Sequence, residues 1–115
     1  MKDLKSLSEH VVSFRDARDW KQFHTPKDIA LSLMLEAGEV AELFQFKSDA
    51  ETAQTIEKIK PTLGEELSDV LYWTLLMAHD CGIDLEEAFS KKMERNAQKY
   101  PVEKAKGSNR KYTEL

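Results

Sequence analysis

The chain has 115 residues, of which 41% are hydrophobic and 33% are charged, a composition typical of one soluble globular domain spanning residues 1–115. Its formal net charge of −4 disfavours a sequence-independent nucleic-acid binder, because such a protein needs a basic surface. No stretch reaches the roughly 20 apolar residues of a membrane helix, and the N-terminus lacks the apolar run of a signal peptide. With a single cysteine, Cys81, the sequence predicts a cytoplasmic protein that binds neither a nucleic-acid polymer nor a membrane.

The first half of the chain predicts two helices. Few glycines and prolines interrupt long periodic stretches, which favours an all-α fold. Apolar residues at helical spacing predict a first helix over Leu4–Ala17, followed by a connector over residues 18–24. Thr25 is a good N-cap and Pro26 suits the first helical position, so the second helix should run from residue 26 to about residue 46.

The second half predicts two more helices and a tail. Residues 47–60 are polar and suggest a loop with a short helix, which Pro61 should end because a proline inside a helix loses a hydrogen bond. A third helix should then cover residues 62–80, with Gly82 as its C-terminal cap. Asp84 should cap a fourth helix over residues 85–99. The tail, residues 102–115, has the composition of an irregular end.

Two pairs of acidic residues lie on apolar helix faces. Glu36 and Glu39 fall about 60° apart on the second helix, and Glu66 and Asp69 have the same spacing on the third. The residues that share these faces are apolar: Ile29, Leu33, Val40 and Leu43 on the second helix, and Val70, Trp73 and Met77 on the third. Acidic pairs are usually solvated, but a buried ionised carboxylate is costly unless it is paired or bound to a metal. The pattern therefore predicts that the two pairs share a cation, with Glu42 and Glu65 at the edge.

Four oxygen ligands favour a hard cation. Mg²⁺ prefers oxygen ligands and commonly bridges phosphates, and Mn²⁺ is a possible substitute. A ferritin-like di-iron or di-manganese site is less suitable, because it needs Glu-x-x-His and none of His10, His24 and His79 lies at that offset. Zinc is disfavoured because no histidine or cysteine lies near the carboxylates in the sequence.

The fourth helix and an aromatic residue offer possible substrate contacts. Lys92, Asn96 and Lys99 share one face, with Arg95 beside it, and they could bind phosphate oxygens or form an ordinary charged surface. Trp73 lies four residues after Asp69 and could stack on a base or pack in the core. Spacing alone leaves both alternatives open.

Taken together, these motifs resemble those of the MazG-like all-α nucleoside triphosphate pyrophosphohydrolases, and most closely the small dCTP pyrophosphatase branch. The E-x-x-E, spacer, E-x-x-D pattern of the family is here Glu36-Ala-Gly-Glu39, 26 residues, then Glu66-Leu-Ser-Asp69. The K-x-x-x-N-x-x-K-Y-P pattern over residues 92–101 and the KYT near the C-terminus strengthen the resemblance.

The resemblance implies an architecture and an activity. The fold would be four-helix-bundle-like, with helices packed across an oligomer interface, often in a tetramer built as a dimer of dimers. The tail would pack over a neighbouring subunit. The enzyme would use Mg²⁺ to cut a nucleoside triphosphate between its α and β phosphates, releasing the monophosphate and pyrophosphate.

The resemblance also implies roles for individual residues. The metal ligands and catalytic carboxylates would be Glu36, Glu39, Glu66 and Asp69, and Glu39 is our choice to orient or deprotonate the attacking water. Lys92 and Asn96 would contact phosphate or sugar, with Tyr100 nearby, and Trp20, Phe46 and Trp73 would help form the base pocket. Arg95 joins the candidate substrate-binding residues through its spacing on the fourth helix. The branch often has Trp at position 46 and Asn at position 28, where this chain has Phe46 and Asp28.

The predicted function is hydrolysis of dCTP, or of a related or modified pyrimidine nucleotide, in cleansing of the nucleotide pool. Two alternatives remain at the level of sequence. The chain could be a non-catalytic helical interaction protein that kept the bundle, although all four acidic positions are present. It could also perform the same chemistry on another nucleotide such as dUTP.

Overall fold

A computed structural model of the chain describes residues 2–115, and over that range all regular secondary structure is helical. The all-α prediction is therefore confirmed. No helix among these residues is both long and apolar enough to cross a membrane. The helices are α1 (Leu4–Ala17), α2 (Pro26–Glu42), α3 (Asp49–Asp80), α4 (Leu85–Lys99) and α5 (Val102–Ala105), with 3₁₀ turns at Lys21–Phe23 and Tyr112–Glu114.

Local capping explains where the first two helices begin. Asp3 accepts a hydrogen bond from the Ser6 backbone N–H at 2.8 Å, and the Ser6 hydroxyl oxygen accepts one from the Asp3 N–H at 3.0 Å. At the start of α2, the Thr25 hydroxyl oxygen accepts from the Asp28 N–H at 3.2 Å, as its sequence position indicates. The predicted bounds of α1 are confirmed.

The end predicted for α2 is wrong. The helix stops at Glu42 rather than near Phe46, and residues 43–46 form turns. The backbone tightens there through i→i−3 hydrogen bonds, such as Phe44 N–H to Ala41 C=O at 3.0 Å. The stretch ends at Phe46, whose φ of 64° is unfavourable for a bulky side chain and cannot continue a right-handed helix.

The loop and the helix break predicted over residues 47–61 are also wrong. Residues 49–61 form the first part of α3, a helix of 32 residues with Pro61 inside it, and only residues 47 and 48 lie before its start. The Ser48 hydroxyl oxygen caps its start by accepting a hydrogen bond from the Glu51 N–H at 3.1 Å. The negative charges of Asp49 and Glu51 in the first turn interact favourably with the positive end of the helix dipole. Pro61 and Glu57 are exposed, so the Glu57 carbonyl that would accept a bond from residue 61 can bind water instead.

The core of the first part of the chain forms where α3 packs against α1 and α2. Ile29 of α2 and Leu75 and Leu76 of α3 are at most 2% exposed. Burial of such side chains supplies about 1.5–3 kcal/mol each, which fixes α2 against the C-terminal part of α3. The two helices that carry the acidic pairs are therefore direct neighbours.

The chain divides into two compact units, the first ending at Gly82 and the second comprising Ile83–Leu115. Gly82 follows the end of α3 with a φ of 66°, the left-handed conformation expected after a helix. In the second unit, Asp84 caps α4 by accepting from the Glu87 N–H at 3.1 Å, so the predicted bounds of α4 are confirmed. A single domain over residues 1–115 stays a prediction.

The tail is more ordered than its composition indicates. It contains α5 and a 3₁₀ turn, and the Tyr112 ring meets the Tyr100 ring edge-on at 6.0 Å between centroids. The Lys99 ammonium also lies 4.8 Å from the centre of the Tyr112 ring, within the range of a cation–π contact. The end of the chain thus folds back on the end of α4.

Candidate active site

The two acidic pairs converge where α2 and α3 pack together. Glu36 and Glu39 come from α2, and Glu66 and Asp69 come from α3. One carboxylate oxygen of each residue lies within 4.8 Å of the corresponding oxygen of the other three. A spacing of three residues places both acids of a pair on the same helix face, so two packed helices suffice to gather all four.

These carboxylates differ in their exposure. Glu36 and Glu66 are half-buried, whereas Glu39 and Asp69 are exposed. The Oε2 atoms of Glu36 and Glu66 are buried and accept no hydrogen bond from the described residues. The cluster therefore sits at the edge of the apolar core, where water reaches it from one side, rather than inside the core.

Crowding of the carboxylates changes their protonation. Hydrogen bonding with Glu39, followed by loss of hydration and repulsion from neighbouring carboxylates, raises the pKa of Glu66 to about 7. Loss of hydration is the main cause that raises the pKa of Glu36, and hydrogen bonding with Glu39 adds to it. Glu39 is therefore the neighbour that raises the pKa of both Glu36 and Glu66.

The donor set fits a hard divalent cation. All four side chains offer oxygen, and two buried carboxylate oxygens lack a partner among residues 2–115. The ion pairs in this range, such as Arg15–Asp80 and Lys91–Glu87, involve none of the four carboxylates. A cation of the Mg²⁺ or Mn²⁺ type would relieve their mutual repulsion, whereas zinc would lack its usual nitrogen or sulfur ligands.

An aromatic cavity opens beside the carboxylate cluster. Its volume is about 540 Å³, within the usual range for a small-molecule pocket. Aromatic side chains make most of the wall, and two of the clustered carboxylates complete it; the lining residues are Phe14, Trp20, Phe23, His24, Glu36, Asp69, Tyr72 and Trp73. The cavity thus joins flat apolar surfaces to acidic oxygen ligands.

Two of the aromatic residues singled out from the sequence, Trp20 and Trp73, line this cavity. Trp73 is held edge-on by two neighbours, with ring centroids 5.0 Å from Tyr72 and 5.1 Å from His24. Such edge-to-face contacts restrict the orientation of the indole. Trp73 is half-buried, so it belongs to both the core and the cavity wall.

Sequence reasoning missed His24, Phe14, Phe23 and Tyr72 as lining residues. Loss of hydration and the nearby charge of Arg15 lower the pKa of His24, which favours a neutral ring. A usable signal was the aromatic spacing of the connector, where Trp20, Phe23 and His24 follow one another closely. The left-handed backbone of Asp19, with a φ of 54°, turns the chain there.

Other singled-out residues lie outside this cavity. Phe46 is 95% exposed and is absent from the wall formed by this chain. Four more lie in the second unit, on α4 and at its C-cap; these are Lys92, Arg95, Asn96 and Tyr100. Asn96 is half-buried and the other three are exposed. Their contacts with a substrate stay predictions.

The sequence matches known proteins over most of its length. A model of the MazG-like family matches residues 31–115. The chain belongs to the MazG-like family. The MazG-like chain is 45% identical to dCTP pyrophosphatase 1 of Rattus norvegicus and 42% identical to that of Homo sapiens. Each alignment spans 114 residues, which is 97% of this chain and 67% of the relative.

A solved structure agrees with these sequence matches. The MazG-like chain superimposes on a pyrophosphatase from Archaeoglobus fulgidus with a TM-score of 0.81 and 36% sequence identity. The superposition covers 88% of this chain and 94% of the other. The family and these relatives identify the MazG-like chain as a nucleoside triphosphate pyrophosphohydrolase.

Proposed function

We propose that this enzyme hydrolyses dCTP, or a related or modified pyrimidine nucleotide, to the monophosphate and pyrophosphate in a Mg²⁺-dependent reaction. The observation that carries the proposal is the convergence of four carboxylates within 4.8 Å beside an aromatic cavity of about 540 Å³. The relatives named dCTP pyrophosphatase 1 support the choice of base. Removal of excess or modified nucleotides from the cytoplasmic pool is the role that such a reaction serves.

Glu36, Glu39, Glu66 and Asp69 would hold the cation, Mg²⁺ or its substitute Mn²⁺. When bound, the cation neutralises negative charge on phosphate oxygens. The raised pKa values of Glu36 and Glu66 support this role, because a group of carboxylates that repel one another gains most from a cation. The unpartnered Oε2 atoms of the same residues are also available as ligands.

The aromatic wall suits the nucleobase. Trp20 and Trp73 would offer their ring faces for stacking, and Glu36 and Asp69 in the same cavity mark the end that receives the triphosphate. Lys92, Arg95 and Asn96 of α4, with Tyr100 after it, would supply donors to phosphate or sugar oxygens. Charged and amide donors on one helix suit phosphate oxygens better than they suit a base.

Glu39 would orient the attacking water and take its proton. The water oxygen attacks one of the two phosphorus atoms joined by the α–β bridging oxygen, and the bond from that phosphorus to the bridging oxygen breaks, which gives the monophosphate and pyrophosphate. Glu39 suits this role because it is exposed and because one of its carboxylate oxygens lies within 4.8 Å of oxygens of both Glu36 and Glu66. Its position gives it access to water and to the centre of the cluster.

The test is pyrophosphate release by wild type and Glu39→Gln with Mg²⁺ in excess. We expect the variant to lose about 100-fold or more of kcat, the usual contribution of a general base. Glu42→Gln, on the same helix and outside the cluster, should stay near wild type. Near-normal turnover by Glu39→Gln would reject the role of Glu39, and release of phosphate instead of pyrophosphate by wild type would reject the reaction.

The base preference needs a separate measurement. A panel of common and modified deoxynucleoside triphosphates, compared by kcat/KM, should place dCTP or a modified cytosine nucleotide first. A higher kcat/KM for dUTP would assign the same chemistry to another pyrimidine. Absence of turnover on every nucleotide would favour the alternative of a non-catalytic interaction protein.

Exposed apolar residues support a homo-oligomer. On α2, Leu31, Met34 and Leu35 are 47%, 62% and 65% exposed. Phe46, just after this helix, is more exposed still and adopts an unfavourable φ. A second copy of the chain would cover this surface and could receive Phe46 at its base pocket, in a dimer or in a tetramer built from two dimers.

A further inference from the structure

The side chain of Arg18 lies where α1 ends and the connector to α2 begins. Arg18 is the C-cap of α1, and its backbone N–H donates to the Arg15 carbonyl oxygen at 3.2 Å. The next residue, Asp19, has the left-handed φ of 54°, after which Trp20 enters the wall of the aromatic cavity. Arg18 itself is exposed and is not one of the lining residues. It therefore lies beside the cavity wall, outside the space that a ligand would fill.

The guanidinium of Arg18 folds back onto α1. Its Nη1 donates to the Phe14 carbonyl oxygen at 2.9 Å. Phe14 is in the last turn of α1, where the carbonyls lack a partner within the helix, and a positive charge is favourable at this end of the helix dipole. Arg18 forms no ion pair with any carboxylate of residues 2–115. The hydrogen bond to Phe14 therefore fixes the position of the charged group.

The same guanidinium lies over two aromatic rings of the cavity wall. Its central carbon is 3.7 Å from the centre of the Phe14 ring and 5.9 Å from the centre of the Trp20 ring. Both distances are within the range of about 6 Å for a cation–π contact. The two rings also meet edge-on, with 5.9 Å between their centroids and an angle of 74° between their planes. Arg18, Phe14 and Trp20 thus contact one another as one group.

Burial fixes these two rings only in part. Phe14 is 39% exposed and Trp20 is 40% exposed, so part of each ring has no packing that would exclude another rotamer. A side chain that is free to change rotamer must be ordered when a ligand stacks on it, which costs conformational entropy. Contacts that order the ring before the ligand arrives reduce this cost.

We propose that Arg18 is a positioning residue, which holds Phe14 and Trp20 in the orientation that lines the cavity. Its planar cation contacts both rings, and its hydrogen bond to the Phe14 carbonyl anchors it to the end of α1. Because Arg18 forms no ion pair with the clustered carboxylates, it should affect binding of the base rather than the chemical step. The effect on nucleotide binding rests on the proposed function, whereas the ordering of the Trp20 indole does not.

The ordering of the Trp20 indole can be measured in the full chain without a substrate. The chain contains two tryptophans, so Trp73→Phe leaves Trp20 as the only indole, and the decay of its fluorescence anisotropy reports motion of the ring. With Arg18 present, we expect the anisotropy to decay mainly with tumbling of the whole molecule. Arg18→Met should shift amplitude from this slow component to a fast one. Equal fast components with and without Arg18 would overturn the proposal, whether or not the protein hydrolyses nucleotides.

The effect on binding is measured as pyrophosphate release from dCTP with Mg²⁺ in excess. Arg18→Met should raise KM roughly three- to tenfold with kcat within about twofold, because a cation–π group and its hydrogen bond no longer order the pocket. Lys21→Met is the matched control: it removes a positive charge from an exposed position of the same connector, and Lys21 is not one of the cations over these rings. It should keep the wild-type KM.

Two outcomes of this assay are distinguishable. A wild-type KM in folded Arg18→Met would overturn the positioning role. If wild type releases no pyrophosphate, the proposed function fails, and the anisotropy of Trp20 alone decides the role of Arg18.

Arg18→Gln distinguishes an effect on the rings from an effect on the helix end. The amide of this variant can still donate to the Phe14 carbonyl, so it supports the end of α1 if Arg18→Met weakens the fold, but it places no charge over the rings. We expect Arg18→Gln to show the same mobile indole and the same rise in KM as Arg18→Met. Wild-type anisotropy and KM in Arg18→Gln would assign Arg18 to capping of α1 alone and would overturn the proposal.

Discussion

At Glu66, the same neighbouring carboxylates that raise its pKa also favour binding of a cation. Its pKa of about 7 means that the folded chain favours a proton, or another positive charge, at this position. Hydrogen bonding with Glu39 is the largest cause, so the effect arises from two acids that lie on different helices. The closely spaced carboxylates that would attract a cation therefore repel one another when no cation is bound, and this repulsion lowers the stability of the folded chain.

Replacement of this acid should separate the two effects. We expect Glu66→Gln to raise the melting temperature in the presence of a chelator, because one of the repelling charges is gone, and to reduce the rise caused by Mg²⁺. Differential scanning calorimetry with EDTA and with excess Mg²⁺ measures both. Glu65→Gln, the exposed neighbour, serves as the control and should behave as wild type. A lower melting temperature in EDTA with an undiminished Mg²⁺ response would contradict this explanation.

The raised pKa also predicts a direction for the pH dependence. Between about pH 4.5 and about pH 7 the folded state binds more protons at Glu66 than the unfolded state does, so stability without a cation should fall as pH rises through this window. Mg²⁺ competes with that proton, and its stabilising effect should grow from about pH 5.5 to about pH 8. Thermal unfolding at constant ionic strength measures it, and a Mg²⁺ effect that is equal at both pH values would contradict the prediction.

At the residue scale, sequence reasoning found what depends on helical spacing. Glu36 with Glu39, and Glu66 with Asp69, share faces because three residues make almost one turn, and packing of α2 on α3 then brings the pairs together. His24 was missed because its place in the cavity depends on the turn at Asp19, which no periodic pattern records.

At the scale of elements, α3 shows that a proline does not always end a helix. Pro61 predicts a helix end, yet the helix continues through it. Extending an existing helix is less costly than starting a new one, and the exposed Glu57 carbonyl that loses its hydrogen bond can bind water. By contrast, α1 and α4 were predicted correctly, because Asp3 and Asp84 cap them through contacts within one turn. The end of α2 was not, because the chain leaves the helix after Glu42 through i→i−3 hydrogen bonds, and the apolar pattern continues beyond that point.

Pro61→Ala should stabilise the chain. It restores the backbone donor in an exposed part of α3 and removes the clash of the ring with the preceding turn, which we expect to raise the free energy of unfolding by about 1–3 kcal/mol. Urea unfolding followed by circular dichroism at 222 nm, the standard signal of α-helix, measures the change. Thr62→Ala controls for the helix propensity of alanine and should have the smaller effect. A destabilised Pro61→Ala would argue against a continuous helix here.

At the scale of the whole molecule, exposed apolar side chains on α2 are the main feature that one chain leaves unexplained. The sequence shows apolar residues around the whole of this helix, which predicts that they are buried. It does not show which surface buries them. The resemblance supplied the expectation of an oligomer, and the exposed Met34 and Leu35 support it.

Met34→Glu should weaken assembly, because it places a charge in the surface that a second copy would cover. Sedimentation velocity should show wild type as a species of two or four chains and the variant as a smaller one with an unchanged helical spectrum. Lys27→Glu alters the charge near the start of the same helix at a polar exposed position and should keep the wild-type mass. A wild type that sediments as one chain would contradict the proposed oligomer.

The central claim is that Glu36, Glu39, Glu66 and Asp69 together bind one kind of divalent cation. Electron paramagnetic resonance measures free Mn²⁺ in the presence of the full chain and so gives its affinity directly. We predict that wild type binds Mn²⁺, that Mg²⁺ displaces it, and that Glu36→Gln, Glu39→Gln, Glu66→Gln and Asp69→Asn each lose roughly tenfold or more in affinity. Binding of Mn²⁺ by all four folded variants as tightly as by wild type would contradict the claim.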